Sequence, residues 1–156
     1  MKKFHKISEK EHSKFASVFE YNDIVIPTRQ TGKSCGYDFV CPHYLTVKAN
    51  SVGKIYSGIK CELDNNEFLM LAIRSSKAIK DNLVLANQVG IIDADYYNNI
   101  GNEGHIIIAI RNMNDYDVEI KKGERICQGI ILKYEVVDED CPNTNTRSGG
   151  IGSTGR

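Results

Sequence analysis

Gly90-Ile91-Ile92-Asp93-Ala94-Asp95-Tyr96-Tyr97 lies between two runs of strand character, Leu83 to Val89 and His105 to Arg111. After it come Asn98, Asn99, Gly101, Asn102 and Gly104, a composition that reads as a hairpin loop. Outward from there, brief runs rich in Ile, Val, Tyr and Leu alternate with Gly, Asn and Asp from Pro27 onward. The expected strands are Tyr37 to Cys41, Tyr44 to Lys48, Lys54 to Glu62, Glu67 to Ile73, Leu83 to Val89, His105 to Arg111, Asp117 to Ile120 and Ile126 to Val137. No second helix of any length is expected, so the class is all-β, a jelly roll or distorted β-barrel. Ser8 followed by Glu11 has the form of a capping box, and Phe15, Val18 and Phe19 share a helical face; this predicts one short helix over about 8–19.

A chain of 156 residues that is 41% hydrophobic supports one cored domain. The expected domain is 1–142, because from Asp138 the composition turns polar and 143–156 has Ile151 as its one large apolar residue. Twenty basic and twenty acidic side chains cancel, which argues against a nucleic-acid partner held by a broad positive field. A locally gripped small anion is compatible with that balance. Five cysteines, with no C-x-x-C pair, read as reduced thiols, and no apolar stretch reaches signal-peptide or membrane-span length. The expectation is a cytoplasmic protein without a membrane partner.

Several segments hold residues suited to chemistry. Ser148-Gly149-Gly150-Ile151-Gly152-Ser153-Thr154-Gly155 combines bare backbone with hydroxyls, as a polyphosphate cradle requires, and Arg147 adds a planar cationic fork. A solvated tail would have the same glycines but no use for Ile151. Arg74-Ser75-Ser76 ends an apolar run where free N–H groups suit an anion; the plainer reading is a helix cap by Ser75 or Ser76. Asp93 or Asp95 is placed to act as a general base and Tyr96 or Tyr97 to stack on a flat ring, unless these are turn acids and a packed tyrosine. Asp38 within Gly36-Tyr37-Asp38 is an awkward charge among apolar neighbours unless a cation uses it or it faces solvent at a strand edge. Arg125, in the turn Gly123 to Gln128, has Glu124 and Asp117 as simple partners.

The order of these segments resembles the trimeric deoxyuridine triphosphatase family over Cys35 to Arg156. The family's A-G-x-D is matched by Cys35-Gly36-Tyr37-Asp38, with Cys for Ala, and P-R-S-S by Ile73-Arg74-Ser75-Ser76, without the proline. G-x-I-D-x-x-Y is matched in full by Gly90, Ile92, Asp93 and Tyr96. G-x-R-x-x-Q is met by Gly123, Arg125 and Gln128, and the terminal Arg and G-G-F-G-S-T-G string by Arg147 and Gly149 to Gly155, with Ile151 for Phe.

The resemblance implies hydrolysis of dUTP to dUMP and pyrophosphate with Mg²⁺, limiting uracil in DNA and supplying dUMP for dTMP synthesis. Asp93 would be the general base for water attacking the α-phosphorus, and Gln128 would orient that water or the base. Asp38 would hold magnesium through water while the phosphates clamp the ion. Arg74, Ser75 and Ser76 would bind phosphate oxygens, and Tyr96 would lie under the deoxyribose and exclude a 2′-hydroxyl. Backbone groups of Asn98 to His105 would read uracil, with Gly101 or Gly104 as the key glycine, Gly90 in the motif and Asn87 as an added contact. The tail, through Arg147, Gly149, Gly150, Ile151, Gly152, Ser153 and Thr154, would close as a flexible lid over sites shared in a homotrimer. The rival within the same fold is a dCTP deaminase, with or without triphosphatase activity; the complete third motif and the G-S-T-G tail argue against it. A rival of another class is a nucleotide-responsive binding protein that does not hydrolyse, against which Asp93 and Asp38 stand.

Overall fold

Glu67–Ile73 alternates inward and outward along its whole length, with Leu69 and Leu71 buried, and it forms the middle of the largest sheet. The computed structural model describes residues 1–142 and 149, so the terminal residues 143–148 and 150–156, with Arg147, Gly150, Ile151, Gly152, Ser153 and Thr154 and most of the expected lid, lie outside the described residues. In chain order the elements are β1 (Lys3–Lys6), α1 (Glu9–His12), β2 (Tyr37–Val40), β3 (Leu45–Val47), β4 (Val52–Tyr56) and β5 (Ile59–Glu62). Then come β6 (Glu67–Ile73), α2 (Ser75–Lys80), β7 (Leu83–Leu85), β8 (Gly90–Asp93), β9 (Ile107–Asn112), β10 (Val118–Ile120) and β11 (Arg125–Lys133). Three 3₁₀ turns cover Ser13–Phe15, Tyr21–Asp23 and Ala94–Tyr96.

The described strands form a four-stranded sheet, β2-β11-β6-β8, a three-stranded sheet, β4-β9-β7, and two antiparallel pairs, β1-β5 and β3-β10. Every described pairing is antiparallel. Phe39, Leu69, Leu71 and Cys127 from the larger sheet and Ile55, Leu83, Ile108 and Ile110 from the smaller one belong to one buried cluster. The all-β expectation therefore holds, and the layered antiparallel sheets close on a single core. No helix among the described residues is long and apolar enough to cross a membrane.

The structure corrects the element list at several points. The expected strand Lys54 to Glu62 divides at Ser57-Gly58 into β4 and β5, which join different sheets. Gly58 has φ +71, and a Cβ there would come within 2.6 Å of Ile24 Cγ1, so only glycine permits the corner. The N-terminal helix is shorter than expected: one turn of α helix and a 3₁₀ turn, with Ser8 as N-cap accepting from Glu11 N. A second helix, α2, does form after β6. β1 went unanticipated because Lys3, His5 and Lys6 dominate its composition, although Phe4 and then Ile7 reach the core. Finally, β8 pairs with β6 while β9 pairs with β4 and β7, so Asn98 to His105 is a loop joining two sheets and not a hairpin.

Candidate active site

β11 lies between β2 and β6 and sets three residues in one row, Asp38, Gln128 and Ala72. Directly opposed residues share a face of the sheet, so Asp38 and Gln128 project together while the small Ala72 leaves room beside them. Asp38 is buried, and both of its oxygens are engaged: Arg74 Nε lies 3.1 Å from Oδ1, and Arg125 donates through an Nη to Oδ2 at 3.1 Å. A buried carboxylate held by two guanidinium groups is compensated electrostatically and fixed in direction. Arg125 thus pairs with Asp38 and not with either of its neighbours in sequence; Glu124 pairs with Lys77, and Asp117 with Lys48.

Arg74 occupies the N-cap of α2, its N–H donating to Ile126 O at 3.0 Å and its carbonyl accepting from Lys77 and Ala78. Among the described residues no side chain caps α2, so Ser75 and Ser76 are not caps, and both hydroxyl side chains stand in its first turn. Lys77 was not apparent from sequence, yet it ties the two arginine-bearing segments together. It is buried, donates to Asp81 at 2.6 Å and also to Glu124 in the β10–β11 turn. Burial pushes its ammonium down, but the bonds from Asp81 and Glu124 outweigh this and hold its pKa above the ordinary lysine range.

A cavity of about 190 Å³ opens here, lined by Gln30, Ser34, Gly36, Asp38, Arg74, Ser75 and Gln128. Gly36 is required for its shape, since a Cβ would come 2.5 Å from Gln128 Oε1. Gln30 and Ser34 were missed because they sit in an irregular loop with no periodic signal. The cavity offers cationic and hydroxyl groups around one carboxylate, the surroundings that suit a polyphosphate.

Other expected site residues lie elsewhere in the same chain. Asp93 ends β8 and is exposed, and it pairs in register with Phe68, four positions before Ala72 on β6. At ~3.4 Å per residue that is ~14 Å along the sheet, and from Gln128 two strand spacings of ~4.8 Å across it. Gly90 is buried against Leu71, while Asn87 is exposed in the turn after β7. Tyr96 is 9% exposed, its hydroxyl donating to His105 O at 2.9 Å and accepting from Asn102 Nδ2 at 2.7 Å. Gly104 has φ +81, and a Cβ there would meet Tyr96 O at 2.6 Å, so it is Gly104 and not the exposed Gly101 whose position demands glycine. Ser76 is half-buried and does not line the cavity, and the described tail residue Gly149 is half-buried.

Residues 22–155 match the family model described as dUTPase. The chain belongs to the dUTPase family. A deoxyuridine 5'-triphosphate nucleotidohydrolase of Lactococcus lactis is 41% identical over 144 residues, covering 90% of this chain and 96% of that one. One from Helicobacter pylori is 33% identical, over 84% of this chain and 89% of its own length. The crystal structure of a dUTPase from Streptococcus mutans superposes with a TM-score of 0.76 at 34% identity, covering 87% of this chain and 98% of that one. A dUTPase from phage phi11 of S. aureus, described with a structural Mg(II) ion, shares the fold at TM-score 0.69 and 17% identity, over 91% and 96% of the two chains.

Proposed function

We propose that this protein hydrolyses dUTP to dUMP and pyrophosphate at sites shared between copies of a homotrimer. The observation that carries the reading is the split within one sheet face. Asp38 and Gln128 stand at one end and Asp93 at the other, too far apart for Asp93 and Gln128 of one copy to reach the same water molecule. Between them the same face presents Phe68, Met70, Ile91 and Ile130, with Ile91 51% exposed. An apolar strip on an open sheet face is suited to a neighbouring copy, and a copy seated there would carry its own Asp93 toward this Gln128.

In that arrangement Arg74, Ser75 and Ser76 bind phosphate oxygens. Asp93 takes the proton of the attacking water, and Gln128, held above Gly36, orients it. Tyr96, its ring fixed at both hydroxyl bonds, packs against the deoxyribose, with Gly90 and Asn87 near the nucleoside and the Gly104 backbone facing the base. Arg147 and the stretch 149–154 close over the phosphates as a lid.

Among the described residues no group of three or more His, Cys, Asp or Glu could hold a metal. A magnesium ion carried on the phosphates fits this donor set, because Mg²⁺ keeps several waters and needs one or two carboxylates beside them. Asp38 would hold it through water, since each oxygen accepts one guanidinium bond and retains a further lone pair. When bound, the ion neutralises charge developing on the departing pyrophosphate.

The deciding experiment incubates the protein and Mg²⁺ with each deoxynucleoside triphosphate. Pyrophosphate from dUTP, far above the others, is the expected result. Ammonia from dCTP would instead place the chain with the deaminases.

A further inference from the structure

Glu103 stands at φ 57 between Asn102 and Gly104, a left-handed conformation uncommon for glutamate, which has no short side chain to bond its own backbone. The loop around it is closed by backbone bonds, Asn98 N to Glu103 O at 3.0 Å and Glu103 N to Asn99 O at 2.9 Å. Its carboxylate reaches out of the loop. Oε2 accepts from Ser8 N at 3.0 Å and from Lys60 Nζ at 3.3 Å, and Oε1 accepts from Ser8 Oγ at 2.5 Å.

Ser8 is the N-cap of α1, and in a full capping box its N–H would go to Glu11. Here that N–H goes to Glu103, while Glu11 pairs with Lys14, which also donates to Gly101 O at 3.3 Å. Lys60 adds a bond to Asn98 Oδ1 at 2.6 Å. The N-terminal segment that grips the loop is itself anchored, with Phe4 and Ile7 in the core and β1 paired to β5. Ser8's hydroxyl, then its amide and Lys60, hold the Glu103 carboxyl below the usual carboxylate range against the opposing effect of burial, so it is the charged form that makes these bonds.

We propose that Glu103 is a positioning residue: its carboxylate fastens the Asn98–His105 loop to the N-terminal segment and so sets the backbone against which the base is read. This rests on the nucleoside reading of that loop given above. A shift at Glu103 passes directly to Gly104, whose Cα lies so close to Tyr96 that no Cβ would fit, and from there to the tyrosine. Base selection is the property most exposed to such a shift, because it depends on where backbone groups point, whereas the phosphate cavity is built on β2, β11 and α2.

The test is steady-state hydrolysis of dUTP and dTTP by Glu103→Gln, which keeps the volume but turns an accepting oxygen into a donor facing Ser8. KM for dUTP should rise about tenfold, kcat should stay within about twofold, and the preference for dUTP over dTTP should narrow by a similar factor. Ser8→Ala, which keeps the N–H bond, should shift both quantities the same way by less; loss of its capping role alone would not alter base preference. Unchanged KM and preference in both folded variants, or a fall in kcat with KM unchanged, would overturn the proposal. Should Glu103→Gln fail to fold, amide exchange at Asn98 and Glu103 in Ser8→Ala decides: faster than wild type supports the clasp, equal rates overturn it. A wild-type protein releasing no pyrophosphate from dUTP would remove the proposed function and this inference together, whereas an active wild type with unaltered variants removes only the inference.

Discussion

The cavity floor and the Asn98–His105 loop are held by different forces. At the floor, Asp38 and Gln128 are placed by strand ladders and Asp38 is fixed by two arginines, so their geometry follows from register. The loop has no ladder. Asn99 Oδ1 accepts from the N–H groups of Gly101 and Asn102, its Nδ2 donates to Tyr96 O and Asn102 Oδ1, and Asn102 Oδ1 also accepts from Gly104 N. Side-chain amides here supplement the two backbone bonds between Asn98, Asn99 and Glu103 and do much of the work that ladders do in the sheet. The expectation is that a change at the floor that spares the Asp38 ion pairs costs little fold, while loss of one amide in the loop removes several of its bonds at once.

The largest expected effect tests whether the floor's sheet supplies the base. Asp93→Asn should keep dUTP binding and lower turnover by at least ~10²-fold, the contribution usual for a general base. Turnover near the wild-type rate would remove Asp93 from the mechanism.

Next comes a pH dependence that belongs to the loop side. His105 is fully buried, its Nε2 accepting from Gly58 N at 2.9 Å. Its Nδ1 has no hydrogen-bond partner among the described residues. Burial, with His12 and Lys14 adding repulsion, pushes its pKa from 6.5 down to about 4. The unfolded chain therefore binds more protons than the folded one between those values, so the stability is present above pH ~6.5 and is lost as pH falls toward 4. The full effect is about 3 kcal/mol, at ~1.4 kcal/mol per tenfold. Thermal unfolding from pH 7 to 4.5 should show this decline, and His105→Gln should flatten it; the same slope in both proteins would assign the acid sensitivity elsewhere.

Asn99→Ala should cost about 1–3 kcal/mol by leaving the amides of Gly101 and Asn102 without their acceptor. Urea unfolding measures this directly, and a loss below ~0.5 kcal/mol would show that water replaces the side chain without penalty. The smallest effect is expected at the floor. Gly36→Ala should leave stability within about 1 kcal/mol, since the displaced atom ends a flexible side chain, yet lower kcat about tenfold by moving Gln128. If stability and kcat fall in proportion, the contrast between the two regions fails.

Most of the floor was legible because its residues sit in or beside strands with clear boundaries. Glu67–Ile73 was found at its full length, and Arg74 with Ser75 follows it directly. Lys77 was not legible, because a lysine in a short helix reads as solvated until Glu124 is brought beside it from the other end of the chain. The loop was recognised by composition but assigned to a hairpin, since adjacent runs in sequence suggest pairing and nothing local reveals that β8 and β9 enter different sheets.

The sequence by itself determined the strand-rich class, the family, and the residue types available for phosphate and water chemistry, because hydrophobic alternation and motif order are local properties. Tertiary structure alone decided that Arg74 and Arg125 share Asp38, that Gln128 lies over Gly36, and that Asp93 stands at the far end of the same sheet face. It also decided that Glu103 reaches Ser8. Each is a meeting of residues distant in the chain, and such meetings are set by strand order and by the burial of a common core, which no local pattern encodes.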